Sequence, residues 1–412
     1  MNESMRDVNA SMPDEAISQM LAERITAGDF PSAVYVVAEA GRVVLSDAIG
    51  DAVREPVRHP ATLDTIYDLA SLTKPLVTGL LSAQLVERGV LELDHVVAQY
   101  LPEFEREDKR RITIRQLLTH TSGLPAWHPL YITTGGRREK VLATIASQTL
   151  EAEPGTNVVY SDLGFITLGL VVETVTQTKL ANLARREIFE PLQLEQTFFN
   201  PRRAMQTSIA ACESGGNAYE REVCRNQETV SKDGSNKGNS DEERLDTVES
   251  GEAHANAPTI WREQLIWGEV HDGNAYFLGG EAGHAGLFSN AHETLRIARQ
   301  FLSGSTRLIR PETCAMFRTN MTETLNEARS FGWQLAATKD STAGASLPPD
   351  SFGHLGFTGT SCWIDPTRER IFILLTNRTH ARPLPFVNIN STRRSFHTLA
   401  VAALESLHQG AD

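Results

Sequence analysis

The sequence predicts an α+β protein: an antiparallel sheet flanked by helices, assembled from both ends of the chain, with a mainly helical lobe inserted between them. Two β-rich runs lie near the N-terminus, at 33–38 and 42–45. Three more crowd the C-terminal third, at 331–336, 359–364 and 371–377. Between these ends the apolar residues recur mainly at helical spacing. Strands at both ends with helices between them imply one discontinuous α/β lobe, from about 11–70 and 328–405, and a helical lobe over about 71–327. A cleft between two such lobes is where a small-molecule site usually lies.

Each element has its own signal. Ser11 and Pro13 precede Ile17, Met20, Leu21 and Ile25, which share one helix face, and Gly28 marks the stop. Ala33–Ala38 and Arg42–Leu45 read as a hairpin turned at Glu39-Ala40-Gly41. Leu76, Val77, Leu80, Leu81 and Leu85 form a helical stripe ended by Gly89. Leu163, Ile166, Leu170 and Val171 form another, starting just after Tyr160. Phe331–Ala336, Gly359–Ile364 and Ile371–Asn377 read as strands, with turn chemistry at Asp365-Pro366-Thr367-Arg368. Phe396, Leu399, Ala403, Leu404 and Leu407 give a closing helix.

Two segments fall outside this pattern. Residues 1–10 are polar and read as a disordered tail. Residues 213–252 carry 11 acidic against 5 basic side chains with many Gly, Ser and Asn, and read as a mobile acidic insertion that buries too little apolar surface to order itself.

Composition narrows the function classes. The chain has 412 residues, 41% hydrophobic and 22% charged, with a net charge of -13. No basic stripe is present to neutralise phosphates, so nucleic acid is not an expected partner. No apolar run reaches membrane-span length, and no cationic start followed by an apolar run is visible. A cytoplasmic location is expected, or a periplasmic one if the true start lies upstream. Cys212, Cys224, Cys314 and Cys362 show neither CxxC pairing nor metal spacing and read as free, mostly buried thiols. No metal and no cofactor is expected, and the oligomeric state is not legible.

Three short segments carry the candidate chemistry: Ser71-Leu72-Thr73-Lys74, Tyr160-Ser161-Asp162 and His354-Leu355-Gly356. Ser71 is the only serine with a lysine three positions later. It follows a short extended run, Ile66-Tyr67-Asp68, and opens the Leu76–Leu85 stripe. Residues i and i+3 of a helix share a face, so the Lys74 ammonium reaches the Ser71 hydroxyl. The helix N-terminus adds partial positive charge that favours an alkoxide or oxyanion there. Pro75 is tolerated in a first turn. The plain alternative makes Ser71 an N-cap and Lys74 a solvated residue, although a lysine there opposes the helix dipole.

Tyr160 has two readings. Either Ser161 or Asp162 caps the following helix and Tyr160 packs behind it, or its hydroxyl lies beside Ser71 and Lys74. In the second case an ammonium favours the charged phenol, which can pass a proton. In the third segment Gly356 removes a side chain where a substrate backbone approaches a strand. His354 supplies a hydrogen bond or partial positive charge at that edge. The alternative is a glycine-rich lead into a strand with an incidental histidine.

Together and in this order, these segments resemble the site of the β-lactamase and penicillin-binding protein superfamily, which uses Ser-x-x-Lys, Tyr-x-Asn or Ser-x-Asn, and Lys-Thr-Gly. Separations of roughly 90 and roughly 190 residues are similar to the class C branch. So are residues 117–124 (LLTHTSGL), Glu153-Pro154-Gly155 and 279–290 (GGEAGHAGLFSN). The resemblance runs from about residue 15 to 405, interrupted by the acidic insertion, and implies a single catalytic domain over 11–405.

It further implies a serine hydrolase that forms an acyl-enzyme on Ser71. Lys74 and Tyr160 would share the general-base role, and water would deacylate. The oxyanion would lie between the backbone N–H groups of Ser71 and Phe357. Asp162, His354 and Gly356 would line the substrate cleft. Two departures bear on the substrate: Asp162 replaces the usual amide, and His354-Leu355 replaces Lys-Thr. A largely neutral imidazole anchors a substrate carboxylate weakly, so an ester or small amide is expected. The alternatives are a D-alanyl-D-alanine carboxypeptidase or weak β-lactamase, and a non-catalytic scaffold or binding protein on the same fold.

Other motifs carry less. No Gly-x-Ser-x-Gly elbow and no His-Glu-x-x-His occurs. His284 in Gly283-His284-Ala285-Gly286 reads as part of a structural loop near the cleft, ahead of a helix cap at Asn290–Glu293. Gly279-Gly280 is not a phosphate loop, because no Gly-Lys-Ser/Thr follows.

Overall fold

The computed structural model describes residues 11–233 and 261–409. The tail at 1–10 and the 234–252 part of the expected insertion lie outside the described residues. The strands are β1 (Ser32–Glu39), β2 (Arg42–Val53), β3 (His59–Pro60), β4 (Tyr67–Asp68), β5 (Phe288–Ser289), β6 (Gln334–Leu335), β7 (Phe352–Leu355), β8 (Ser361–Asp365) and β9 (Arg370–Thr376). The helices used below are α1 (Glu15–Ala27), α2 (Leu80–Glu87), α3 (Asp162–Thr176), α4 (Ala218–Asp233), α5 (Gly273–Phe277), α6 (Ala291–Ala298) and α7 (Asn390–Gln409).

Seven strands form one antiparallel sheet in the order β3-β2-β1-β9-β8-β7-β6. β1 pairs with β9, Ala33 opposite Thr376 through Glu39 opposite Arg370, so the two ends of the chain share the middle of the sheet. Alternation along the strands then divides two cores. Ala33, Tyr35 and Val37 of β1, with Phe372 and Leu374 of β9, pack against Ile17 and Leu21 of α1 and Phe396, Ala400 and Leu404 of α7. Val34, Val36 and Ala38, with Ile371, Ile373 and Leu375, face the other way onto the inserted helices, among them Leu72, Leu76, Leu80 and Ile297. This is the α+β arrangement the sequence predicts.

Local chemistry explains where the elements begin and end. Asp14, not Ser11, caps α1, its side chain accepting from Ile17 N at 2.9 Å, and Gly28 ends it at φ +93°. The β1–β2 hairpin turns through Ala40 and Gly41, both at positive φ, as a tight right-twisted turn requires. The strand expected over 331–336 shortens to β6, and the one expected from Gly359 starts only at Ser361. β7 was expected only as a glycine-rich lead-in. Its Gly353 lies so close to Trp363 on β8 that a Cβ would stand 2.1 Å from the indole, so composition hides a strand that packing requires.

The expected mobile insertion needs correction at its start. Residues 218–233 form α4, and Glu213 and Glu220 are buried. Glu213 accepts from His271 Nε2 at 2.8 Å, and Glu220 from the Tyr131 hydroxyl at 2.5 Å and from Gly273 N at 2.8 Å. Acidic side chains that read as solvated instead have inward partners, and that order cannot be seen from charge content.

Against α3 lies the 283–286 loop. Gly169 and Gly283 pack backbone to backbone, and a Cβ on Gly283 would stand 2.1 Å from the Phe165 carbonyl oxygen. Gly283→Ala is therefore expected to destabilise the protein by roughly 1–3 kcal/mol, read as a lower urea midpoint with an unchanged slope. An unchanged midpoint would show that the loop is not seated this way.

Candidate active site

Ser71 sits in a 3-10 turn, Ala70–Leu72, between β4 and a run that winds as a π-helix over Lys74–Gly79 before becoming α2. Ala70, just ahead of Ser71, holds φ +47°, a conformation costly for a side-chain-bearing residue. Neighbours hold it there. Asp68 Oδ1 accepts from Ala70 N at 2.8 Å, and the Thr73 hydroxyl donates to the Ala70 carbonyl at 2.7 Å.

Lys74 is fully buried. Its Nζ donates to Ser71 Oγ at 2.9 Å and to the His284 carbonyl at 3.0 Å, and pairs with Asp162 Oδ1 at 2.7 Å. Burial pulls the ammonium down, but Asp162 and Tyr160 outweigh it and the Lys74 pKa is raised. The Tyr160 ring lies 5.0 Å from Nζ, and Lys74 and Ser71 are the neighbours that ease its ionisation. Here the sequence expectation fails in one respect. Burial outweighs the nearby ammonium and raises the Tyr160 pKa, so the resting phenol is neutral. Ser161, by contrast, is the cap of α3, accepting from Gly164 N at 3.0 Å.

The third segment meets the Ser71 turn directly. Thr358 and Thr360 donate their hydroxyls to the Asp68 and Leu69 carbonyls at 2.7 and 3.0 Å. A Cβ on Gly356 would stand 2.6 Å from the Leu69 carbonyl oxygen, so the chain's own close approach already requires glycine there. Among the described residues, neither Ser71 N–H nor Phe357 N–H donates to a protein acceptor. Arg393 donates to the Gly356 carbonyl at 2.8 Å, the oxygen of the same peptide unit that carries Phe357 N–H. His354 is buried and its pKa is driven well below the ordinary value, by burial first and then by Lys74 and Arg329. Its Nδ1 donates to the Leu355 carbonyl at 2.9 Å. It brings no positive charge to the cleft.

Two cavities meet at Ser71. One, of about 200 Å³, is lined by Trp127, Asp162, Tyr219, Glu220, Asp272 and Phe357 among others. The second, of about 460 Å³, is lined by Tyr160, Asp162, Arg329, His354, Gly356 and Arg393 among others. The structure thus brings together every predicted site residue. Sequence reasoning missed Trp127, Tyr219, Glu220, Asp272 and the three arginines Arg329, Arg378 and Arg393, none of which lies in a recognisable motif. His284 does belong to a loop at the cleft, and its carbonyl is a partner of Lys74.

A β-lactamase family model matches residues 17–390. The chain belongs to the β-lactamase family. As a member of that family it is a serine hydrolase of the acyl-enzyme type. It is 30% identical over 399 residues to an Escherichia coli (strain K12) protein named "Putative D-alanyl-D-alanine carboxypeptidase", covering 89% of this chain and 83% of that one. Its fold is similar to that of EstCE1, "a hydrolase with promiscuous acyltransferase activity", at TM-score 0.67 and 22% identity over 92% and 97% of the two chains. It is also similar to simvastatin synthase (LovD) from Aspergillus terreus, at TM-score 0.66 and 19% identity over 94% and 98%. No helix among the described residues is long and apolar enough to cross a membrane.

Buried histidines give this family member a defined acid response. Burial holds His120 and His354 well below the ordinary value and His397 down to about 4. In the unfolded chain they protonate at about pH 6.5. Their folded pKa values are depressed, so their contribution is complete above that pH and is lost as pH falls below it. Glu220, pushed up to about 7 by burial and then by Asp272, works the opposite way, as do the raised carboxyls of Asp68, Glu269 and Glu281. His128, His292 and His380 are also held down by burial and add to the histidine side. The melting temperature is expected to fall between pH 7 and pH 5 in calorimetry. A rise across that interval would contradict the burial of these rings.

Proposed function

We propose that this enzyme cleaves an ester or small amide, with Ser71 as nucleophile and Lys74 and Tyr160 moving the protons. The supporting observation is the Ser71–Lys74 contact at 2.9 Å, joined by Tyr160 and facing two unspent backbone donors, Ser71 N–H and Phe357 N–H. The proton leaving Ser71 needs an acceptor, and a resting ammonium is not one. Asp162 resolves this: Lys74 hands a proton to Asp162, giving a neutral amine and a carboxylic acid at unchanged net charge, and the amine then takes the Ser71 proton. Tyr160 relays that proton to the leaving oxygen or nitrogen. The oxyanion rests on the Ser71 and Phe357 N–H groups. Water reverses the sequence and releases the acid.

A second reading, cleavage of a peptide ending in a carboxylate, is favoured by one observation. Arg378 and Arg393 line the larger cavity with no acidic partner among the described residues, so a cation is at hand even though His354 is neutral. The name of the Escherichia coli relative points the same way.

A serine-directed fluorophosphonate is expected to label Ser71, with labelling absent in Ser71→Ala and weakened in Lys74→Ala. A folded but unlabelled protein would leave only a scaffold. Turnover of p-nitrophenyl butyrate is expected to exceed that of a chromogenic cephalosporin; the reverse order would overturn the ester reading. In Asp162→Asn, Lys74 must lose its proton to water. The rising limb of kcat/KM against pH should then move to higher pH, because the proton must leave the lysine itself. An unmoved limb would rule out Asp162 as proton acceptor.

A further inference from the structure

The two cavities at Ser71 differ in charge. Tyr160, the proton donor to the leaving atom, lines the larger cavity and not the smaller. The leaving group therefore occupies the larger cavity and the acyl substituent the smaller. The smaller cavity combines three aromatic walls, Trp127, Tyr219 and Phe357, with three carboxylates, Asp162, Glu220 and Asp272.

These carboxylates are not fully used. Oxygens of Asp162 and Asp272 lie within 4.8 Å of one another and of a His284 ring nitrogen. Both hydrogen bonds to Asp272, from Ala275 N at 2.7 Å and His284 Nε2 at 2.8 Å, fall on Oδ1, and Oδ2 accepts none among the described residues. Glu220 is pushed up to about 7 by burial and then by Asp272, whereas Asp272, although buried, is held low by His284 and Lys74 beside it. The charged and titratable groups facing this space are Lys74 from the nucleophile helix, His284 from the 283–286 loop, and His271, which already serves Glu213.

We propose that the acyl group carries a free ammonium, seated between Asp272 and Asp162 against the aromatic walls, so that the substrate is a short aminoacyl ester or amide. Aromatic faces and carboxylates together recognise an organic cation. Lys74, 2.7 Å from Asp162, opposes a divalent metal more strongly than a singly charged amine. The proposal rests on the Ser71 acyl-enzyme reading.

The test compares both enantiomers of alanine benzyl ester with benzyl propionate, the same ester lacking the amine. In parallel, Ser71 is labelled with the fluorophosphonate. One alanine enantiomer is expected to exceed benzyl propionate in kcat/KM by about tenfold or more. Asp272→Asn, which keeps a good helix cap for α5, should shrink that ratio to within about threefold. If Ser71 labels while benzyl propionate is cleaved as well as both amines, or none of the esters is cleaved, the ammonium pocket is overturned and the hydrolase reading stands. Stoichiometric zinc uptake that Asp272→Asn abolishes would overturn it too. If Ser71 does not label, the hydrolase reading itself fails.

Discussion

The structure is organised around one buried charge. Lys74 has no access to water, and an ammonium in that position is tolerated only where its hydrogens and its charge are matched. The matching groups come from three parts of the chain: Ser71 one turn away, Asp162 at the head of α3, and the carbonyl of His284. Satisfying Lys74 therefore requires the nucleophile turn, α3 and the 283–286 loop to converge. The Gly169–Gly283 contact is the steric expression of the same requirement, since two bare backbones let that loop lie against α3. The tolerance of the fold for this charge and the reactivity of the site have a common origin.

A second clasp completes the site from the sheet. The Thr358 and Thr360 hydroxyls tie the β7–β8 turn to the carbonyls ahead of Ser71, the hold that the proposed pairing of Phe357 N–H with Ser71 N–H would need. Arg393, near the start of α7, bonds the carbonyls of Gly356 and Thr360 from behind, and burial pulls its pKa down to about 9. A guanidinium on the far oxygen of a peptide unit polarises the N–H on its near side. In the proposed mechanism the C-terminal helix would act on the oxyanion through this backbone unit, while the Arg393 side chain also lines the larger cavity.

Much of this was legible in sequence because it is local. A serine and a lysine three apart at a helix start, a tyrosine just before a capped helix, and alternating β-rich runs at the two ends are patterns in adjacent residues. They sufficed for the middle of the sheet, the Ser71–Lys74 turn and the order of the three motifs. What was not legible depends on partners far away in the chain. The acidic segment at 213–252 reads as a mobile insertion until Glu213 and Glu220 near its start are seen to be received by His271, Tyr131 and Gly273. The strand at Phe352–Leu355 is masked by a glycine whose reason is Trp363. Tyr160 was expected to be eased toward its anion by Lys74, yet the depth of its burial, which no motif encodes, decides the sign.

The pairing of β1 with β9 has a consequence for how the molecule comes into being. During synthesis the N-terminal hairpin emerges first but has no neighbour on its open side until more than three hundred residues later, when β9 leaves the ribosome. Contacts of such long sequence separation form late, because loop closure comes before any gain from pairing. The intervening helices can collapse early, while the hairpin waits with an exposed edge that invites association with other nascent chains. A chain cut short before Arg370 would present that edge permanently, so its expected fate is aggregation or degradation rather than a partly active fragment.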